Sequence, residues 1–289
     1  MRTLRSQAII LCLVLGITVR ASAAGVPRCV VGIDHLPVAV NDLDRAAEIY
    51  RRLGFSIKPG RFHADGIRNE HVKFEDGGGV ELITAQRAAD PLSATYVQLL
   101  EQGEGPAFLS FHTLHLPVLE TAFRRARFAY SEDDRTLTFR DPALQFVFFF
   151  EGNNRSPTDR PEHFQHANSA YATAGVWIAG GDDSPLVPLL QSAGGELATK
   201  KVFAPTERSA KVVQVQNGEV VFLPKSSQII PGRPIVGVVF LTRDLAALQR
   251  CLIAAHIPSA AHVEAAHHRS VIIAPQQTLG LWLEFRELR

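Results

Sequence analysis

The feature that most constrains this chain is a local order repeated four times: an apolar strand, a polar cap, an amphipathic helix, then three strands divided by turns. In the first copy VGIDHLPVAV (31–40) reads as a strand and Asn41 or Asp42 as the cap. The helix LDRAAEIYRRL (43–53) places Leu43, Ala46, Ala47, Tyr50 and Leu53 on one face, and Gly54 ends it. FSIKPGRF (55–62), EHVKFED (70–76) and GVELITA (79–85) follow as strands. The order returns from AFLSFHTL (107–114) to LQFVFFFE (144–151), from GVWIAGG (175–181) to EVVFLP (219–224), and from VGVVFL (236–241) to LGLWLEF (279–285). A doubly wound parallel sheet needs roughly one helix per strand, whereas each helix here precedes three strands. A lone unit of ~55 residues buries too little surface to stand alone, so paired units are expected. The expected fold is α+β: four βαβββ modules joined in two pairs, modules 1 and 2 over 29–152 and modules 3 and 4 over 173–289. The polar segment 153–172 links them, and 87–105 carries a short helix, TYVQLLEQ (95–102).

The N-terminal residues read as an export signal. Arg2 and Arg5 precede the apolar run AIILCLVLGITV (8–19), and ASAA (21–24) offers a small-residue cleavage site after Ala23. Twelve apolar residues make a helix of ~18 Å, short of the ~30 Å hydrocarbon core. Removing 1–23 takes away three arginines and no acid, so a formal charge of +1 becomes −2. Without clustered Lys and Arg, a nucleic-acid partner is not expected. The expected location is periplasmic or secreted, with no stable membrane span after cleavage. There Cys29 and Cys251 either bridge or stay as separate thiols; their spacing favours neither. The oligomeric state is left open.

Residues 32–86 resemble the vicinal oxygen chelate superfamily, and within it the glyoxalase-like branch. The resemblance is carried by GIDHLPVAVNDLDRAAEIYRRLGF, HADGIRN (63–69) and DGGGVELI (76–83), in that order. It implies module pairs whose sheets curl around a cleft, a divalent metal on the cleft face (Zn, Fe, Mn or Ni), and metal ligands at the positions of His35 and Glu81. The glyoxalase-like branch also shows a His-bearing segment matched by HFQHANSA (163–170), which nominates His166.

Strand alternation gives a parallel reading of the same residues. Leu36, Val38 and Val40 face the helix and leave His35 on the other side, and Glu81 takes the face opposite Val80 and Leu82. A buried carboxylate needs a partner, so Glu81 is expected to meet a cation, a donor or a metal. The equivalent of His35 is Phe108 in module 2, Gly175 in module 3 and Gly237 in module 4. The equivalent of Glu81 is Phe148 in module 2, Phe222 in module 3 and Glu284 in module 4. The metal set that the resemblance implies is His35, Glu81 and His166, and Glu151 or His166 is the candidate general base. Arg68 and Asn69 are candidates to hold an anionic or oxygenated substrate, and Phe108, Phe148 and Phe222 to floor the cleft. The functional expectation is an exported, divalent-metal-assisted enzyme of isomerase, lyase or dioxygenase type acting on a small oxygenated molecule. The alternative is a metal-free protein that binds or sequesters a small molecule in the same cleft.

Overall fold

The computed structural model describes residues 28–289. The export signal expected over 1–23 lies outside the described residues. Module 1 comprises β2 (Leu36–Ala39), α1 (Leu43–Arg52), β3 (Lys58–Phe62), β4 (Ile67–Lys73) and β5 (Gly79–Ala85), preceded by β1 (Val30–Ile33). After α2 (Pro91–Glu101) and β6 (Gly105–Pro106), module 2 comprises β7 (Leu109–Thr113), α3 (Leu116–Arg125), β8 (Tyr130–Asp133), β9 (Thr136–Phe139) and β10 (Val147–Glu151). Module 3 is β11 (Ala170–Ile178), α4 (Leu186–Ser192), β12 (Glu196–Phe203), β13 (Glu207–Val215) and β14 (Gly218–Phe222). Module 4 is β15 (Ile235–Thr242), α5 (Leu245–Ala254), β16 (Ala261–Glu264), β17 (His268–Ile273) and β18 (Trp282–Leu288). The repeated grammar is thus an α+β fold of four modules. In each one the first strand runs parallel to the last, and the two middle strands continue antiparallel.

Local chemistry explains the elements. Asp42 caps α1 by accepting the Arg45 N–H at 3.0 Å, and Leu43, Ala46, Ala47 and Tyr50 form its buried face. That face belongs to an apolar cluster that also holds Leu36, Val38 and Phe74 from module 1 with Phe240 and Phe285 from module 4, so the two pairs share one core.

The pairs are joined differently. β11 and β15 pair antiparallel and fuse modules 3 and 4 into one eight-stranded sheet. In the first pair the chain changes sheets within one strand: β1 pairs with β7 of module 2, whereas β2 pairs with β5 of module 1. Asp34 and His35 lie at this crossing, where the Asp34 N–H donates to the Ser110 carbonyl at 2.8 Å and the Ser110 N–H to the His35 carbonyl at 3.0 Å.

The face of each sheet turned away from the helices decides where a ligand can go. In the second pair it is filled by Trp177, Val221, Val239 and Ile272, with Trp282 and Phe203 packed against them. A Cβ on Gly237 would lie 2.6 Å from the Trp177 ring, so the position matching His35 is occupied by indole. Phe222 points into the shared helix-side core and not into a cleft, a correction that follows from its place in the strand alternation. The first pair keeps its concave face open. The joining segment is not a free linker: Asn154, Asp159, His166 and Asn168 all bond to module 1. Cys251 carries a free thiol, so the bridge to Cys29 is not formed. No described helix is long and apolar enough to cross a membrane.

Candidate functional site

The open face of the first pair holds a cavity of about 360 Å³. Ile67 and Ile83 from the module 1 sheet, Phe108 and Phe148 from module 2, and Tyr96 from α2 supply its apolar walls. Tyr96 meets Phe108 edge-on at 5.6 Å, and Phe148 meets the His35 ring edge-on at 5.8 Å.

Across from these rings runs a polar row. His35 Nδ1 donates to Asp34 Oδ2 at 2.6 Å, and its Nε2 faces Glu81 Oε2 at 3.4 Å. Asp34 is buried and also accepts from the Asn154 N–H at 2.7 Å and the Ser110 hydroxyl at 3.2 Å. Asn69 Nδ2 donates to Glu81 Oε1 at 2.6 Å, and Asn69 Oδ1 accepts the Arg61 N–H at 2.9 Å, which fixes the amide orientation. Gly60 makes this possible, because a Cβ there would collide with both the carbonyl and the side-chain oxygen of Asn69.

The charges in the row are coupled. Burial opposes protonation of His35, but the hydrogen bonds and charges of Asp34 and Glu81 outweigh it and push the imidazole up to about 10. Burial likewise opposes the Glu81 carboxylate, and contact with His35, aided by His71 and Asn69, holds it down at about 2. His71, the cross-strand partner of Glu81, is lowered by burial to about 4 and stays neutral, with a buried Nδ1 that has no partner. Burial and the Glu81 charge raise the Tyr96 phenol well above its ordinary value, so it remains protonated.

The structure brings together His35, Glu81, Asn69, Phe108 and Phe148 and places three other candidates elsewhere. His166 is not at the cleft: it is buried between Phe55 and Phe74, with ring centroids 5.4 and 5.1 Å away. Its Nδ1 accepts the Ser56 N–H at 3.0 Å and its Nε2 donates to the Lys73 carbonyl at 3.0 Å, so neither nitrogen can serve a metal or a proton transfer. Glu151 takes the Leu116 N–H at the start of α3 and an Arg135 side chain, which makes it a helix-start and ion-pair residue. Arg68 points away from the cleft because β4 alternates: Ile67 and Asn69 line the cavity, and Arg68 is exposed on the opposite face. The sequence reading missed Asp34, Tyr96 and His71. Asp34 stands in the same D-H-L signature as His35, and Tyr96 in the short helix assigned to a connecting segment. No local signal marks His71.

His166 predicts its own acid response. Burial lowers it to about 4 from an ordinary 6.5, so below pH 6.5 the unfolded chain takes up a proton that the folded chain refuses. The stability this residue contributes is whole above pH 6.5 and is lost as pH falls through about 4. His166→Leu is expected to cost about 1–3 kcal/mol through the stranded Ser56 N–H and Lys73 carbonyl. It should also flatten the dependence in that window; urea titrations between pH 4 and 7 measure both, and an unchanged slope would refute the assignment.

The chain belongs to the glyoxalase-like domain family, which matches residues 33–191. Similar folds include a xylose isomerase-like TIM barrel/4-hydroxyphenylpyruvate dioxygenase fusion protein, at TM-score 0.68 and 11% identity over 92% of this chain. The chain spans only 50% of that protein's length. A variant of 4-hydroxymandelate synthase from Streptomyces coelicolor aligns at TM-score 0.66 and 11% identity, covering 90% of this chain and 93% of the synthase. A Mn(II)-bound glyoxalase from Novosphingobium aromaticivorans aligns at TM-score 0.60 and 10% identity, covering 90% and 82%. These likenesses agree with the vicinal oxygen chelate resemblance of the sequence. No curated protein matches the chain by sequence.

Proposed function

We propose that the first module pair is the working half of an exported enzyme that holds a small oxygenated molecule between the phenylalanine wall and the Asp34–His35–Glu81 row. The observation that carries this reading is the 3.4 Å approach of His35 Nε2 to Glu81 Oε2, with Asp34 holding Nδ1 from behind. Two lone pairs repel at that separation, so one positive charge belongs between them: a proton or a divalent ion.

The donor set fits a divalent ion held by an imidazole and a carboxylate, with other positions left to oxygens of the ligand; Zn, Fe, Mn and Ni suit such donors. Among the described residues no group of three or more His, Cys, Asp or Glu converges on one point, so His35 and Glu81 would be the only protein ligands of this kind. Such an ion, when bound, supplies Lewis acidity toward neighbouring substrate oxygens.

The chain's own residues account for the rest. Asp34 fixes the His35 tautomer and ring plane, as a carboxylate behind a ligating or acid–base histidine does. In the metal-free state a protonated His35 puts its positive charge beside the space where negative charge would develop on a substrate oxygen. With the ion bound His35 would be neutral and the ion would supply that charge, and either arrangement suits an isomerase or lyase step. Glu81, held near 2, acts as a fixed negative charge and not as a base matched to neutral pH. The aromatic walls lower the polarity around the row, which strengthens these interactions. The export part of the reading is supported by residues 1–23. A second reading, metal-free binding, is favoured by Phe108 and Phe148, which put rings on the wall opposite the polar row.

Calorimetric titration of chelator-treated protein with Zn(II) or Mn(II) separates the two. The metal reading expects one ion bound per chain, displacement of about one proton, and affinity rising up to about tenfold per pH unit between pH 6 and 8. His35→Ala should abolish that binding. No binding by the wild-type chain would leave the metal-free reading. Wash-in of deuterium at carbons next to the carbonyl of small ketols, lost in His35→Ala, tests the isomerase step.

A further inference from the structure

A second cavity, of about 550 Å³, adjoins the first and shares His63, Asn69 and Glu81 with it. One strand face connects them. Ile67 and Asn69 line the apolar cleft, and Asn69, His71 and Lys73 continue along β4 into the second cavity. At two residues per same-face step, Lys73 lies ~13 Å along the strand from Asn69.

The second cavity is basic. Lys58, Arg61 and Lys73 come from β3 and β4, and Arg160 from the joining segment that closes the cavity from the other side. Lys58 and Lys73 are both buried and share one carboxylate: Lys58 pairs with Asp159 Oδ1, and Lys73 lies 3.0 Å from Oδ2. The same carboxylate takes the Ser156 N–H at 2.8 Å, and Lys73 also donates to the Asn154 carbonyl. The two ammoniums share this one carboxylate, and the second negative charge that reaches Lys73 is Asp34 of the neighbouring row. The buried charges therefore balance only across both cavities, and the unmatched cations are those at the rim. Arg61 adds a further cation, and Arg160 has only a solvent-screened contact with Glu162 at 3.9 Å. Glu81, the other acid on the wall, is already matched to His35.

We propose that this cavity is the anion-binding half of the same site, so that the ligand is an acid: its oxygenated end lies at His35 and Glu81, and a carboxylate or phosphate group lies among Lys58, Arg61, Lys73 and Arg160. The proposal rests on the cleft reading above and extends it to a substrate class. Guanidinium groups at the rim give paired N–H donors to an oxyanion, and the two lysines supply the underlying field.

The test uses inorganic phosphate, 3-phenylpropionate and 3-phenylpropionamide on the full chain after chelator treatment, with binding followed by calorimetry and NMR. The wild type is expected to bind phosphate and to prefer the acid over its amide by tenfold or more. Arg61→Ala/Arg160→Ala, both at exposed positions, should lower phosphate affinity at least tenfold and erase the acid preference while leaving amide binding unchanged. Failure of phosphate to bind, or equal affinity for acid and amide in the wild type, overturns the proposal even if the amide occupies the cleft. If phosphate binds and the amide does not, the cleft reading fails and the anion cavity stands, because the two probes report on different walls.

Discussion

Asp34→Ala is expected to destabilise the chelator-treated protein by about 3–5 kcal/mol, the cost of breaking a buried charged pair from one side. The carboxylate is buried and serves three donors, His35, Ser110 and the Asn154 N–H, so its loss strands groups from both modules and from the joining segment. The effect carries a pH signature. His35 is raised to about 10 from an ordinary 6.5, so the stability its charge contributes is complete below pH 6.5 and is lost as pH rises through about 10. In Asp34→Ala the main hydrogen-bonding partner that raises His35 is gone, and stability should vary much less across that window. Urea unfolding at pH 6, 8 and 10 for both proteins measures the two slopes. Parallel curves would show that Asp34 does not set the His35 charge.

Trp177→Ala is the second large effect, with an expected cost of about 3–5 kcal/mol from the cavity left in a packed interior. Trp177 is fully buried and fills the concave face of the second pair, directly against Gly237. The loss should leave ligand or metal binding in the first cleft unchanged at temperatures where the variant is folded, because the two concave faces belong to separate sheets. Thermal unfolding paired with the metal or phenylpropionamide titration checks both halves of this expectation. A fall in cleft affinity as large as the fall in stability would mean that the second pair takes part in binding. Gly237 explains why the second pair has no equivalent of His35: a side chain at that position would occupy the space of the indole.

Much of the fold was legible because its determinants are local. A 3.6-residue apolar stripe with Asp42 ahead of it defines α1, and alternation at period two separates Val38 from His35 and Leu82 from Glu81. The helix-like 95–102 was legible as a helix, but its role was not: α2 begins at Pro91 and brings Tyr96 over the cleft, a contact set by packing against β2 and β5. Arg68 was not legible in the same way: the strand expected from Glu70 begins at Ile67, and alternation then sets Arg68 on the face opposite Ile67 and Asn69.

By itself the sequence determined the four βαβββ modules, the helix-facing side of each strand and the separation of His35 and Glu81 from that side. Those properties follow from periodicity within a dozen residues, and burial rewards only one phase of each period. Tertiary structure decided what the remaining residues do. Asp34 becomes the partner of His35 because the strand changes sheets between them, and Glu151 is drawn to the start of α3. His166 is taken into the core by Ser56 and Lys73, and Lys58 meets Asp159 across 101 residues of chain. Such meetings depend on how the modules dock, and docking is set by the summed fit of whole apolar faces rather than by any short pattern in the chain.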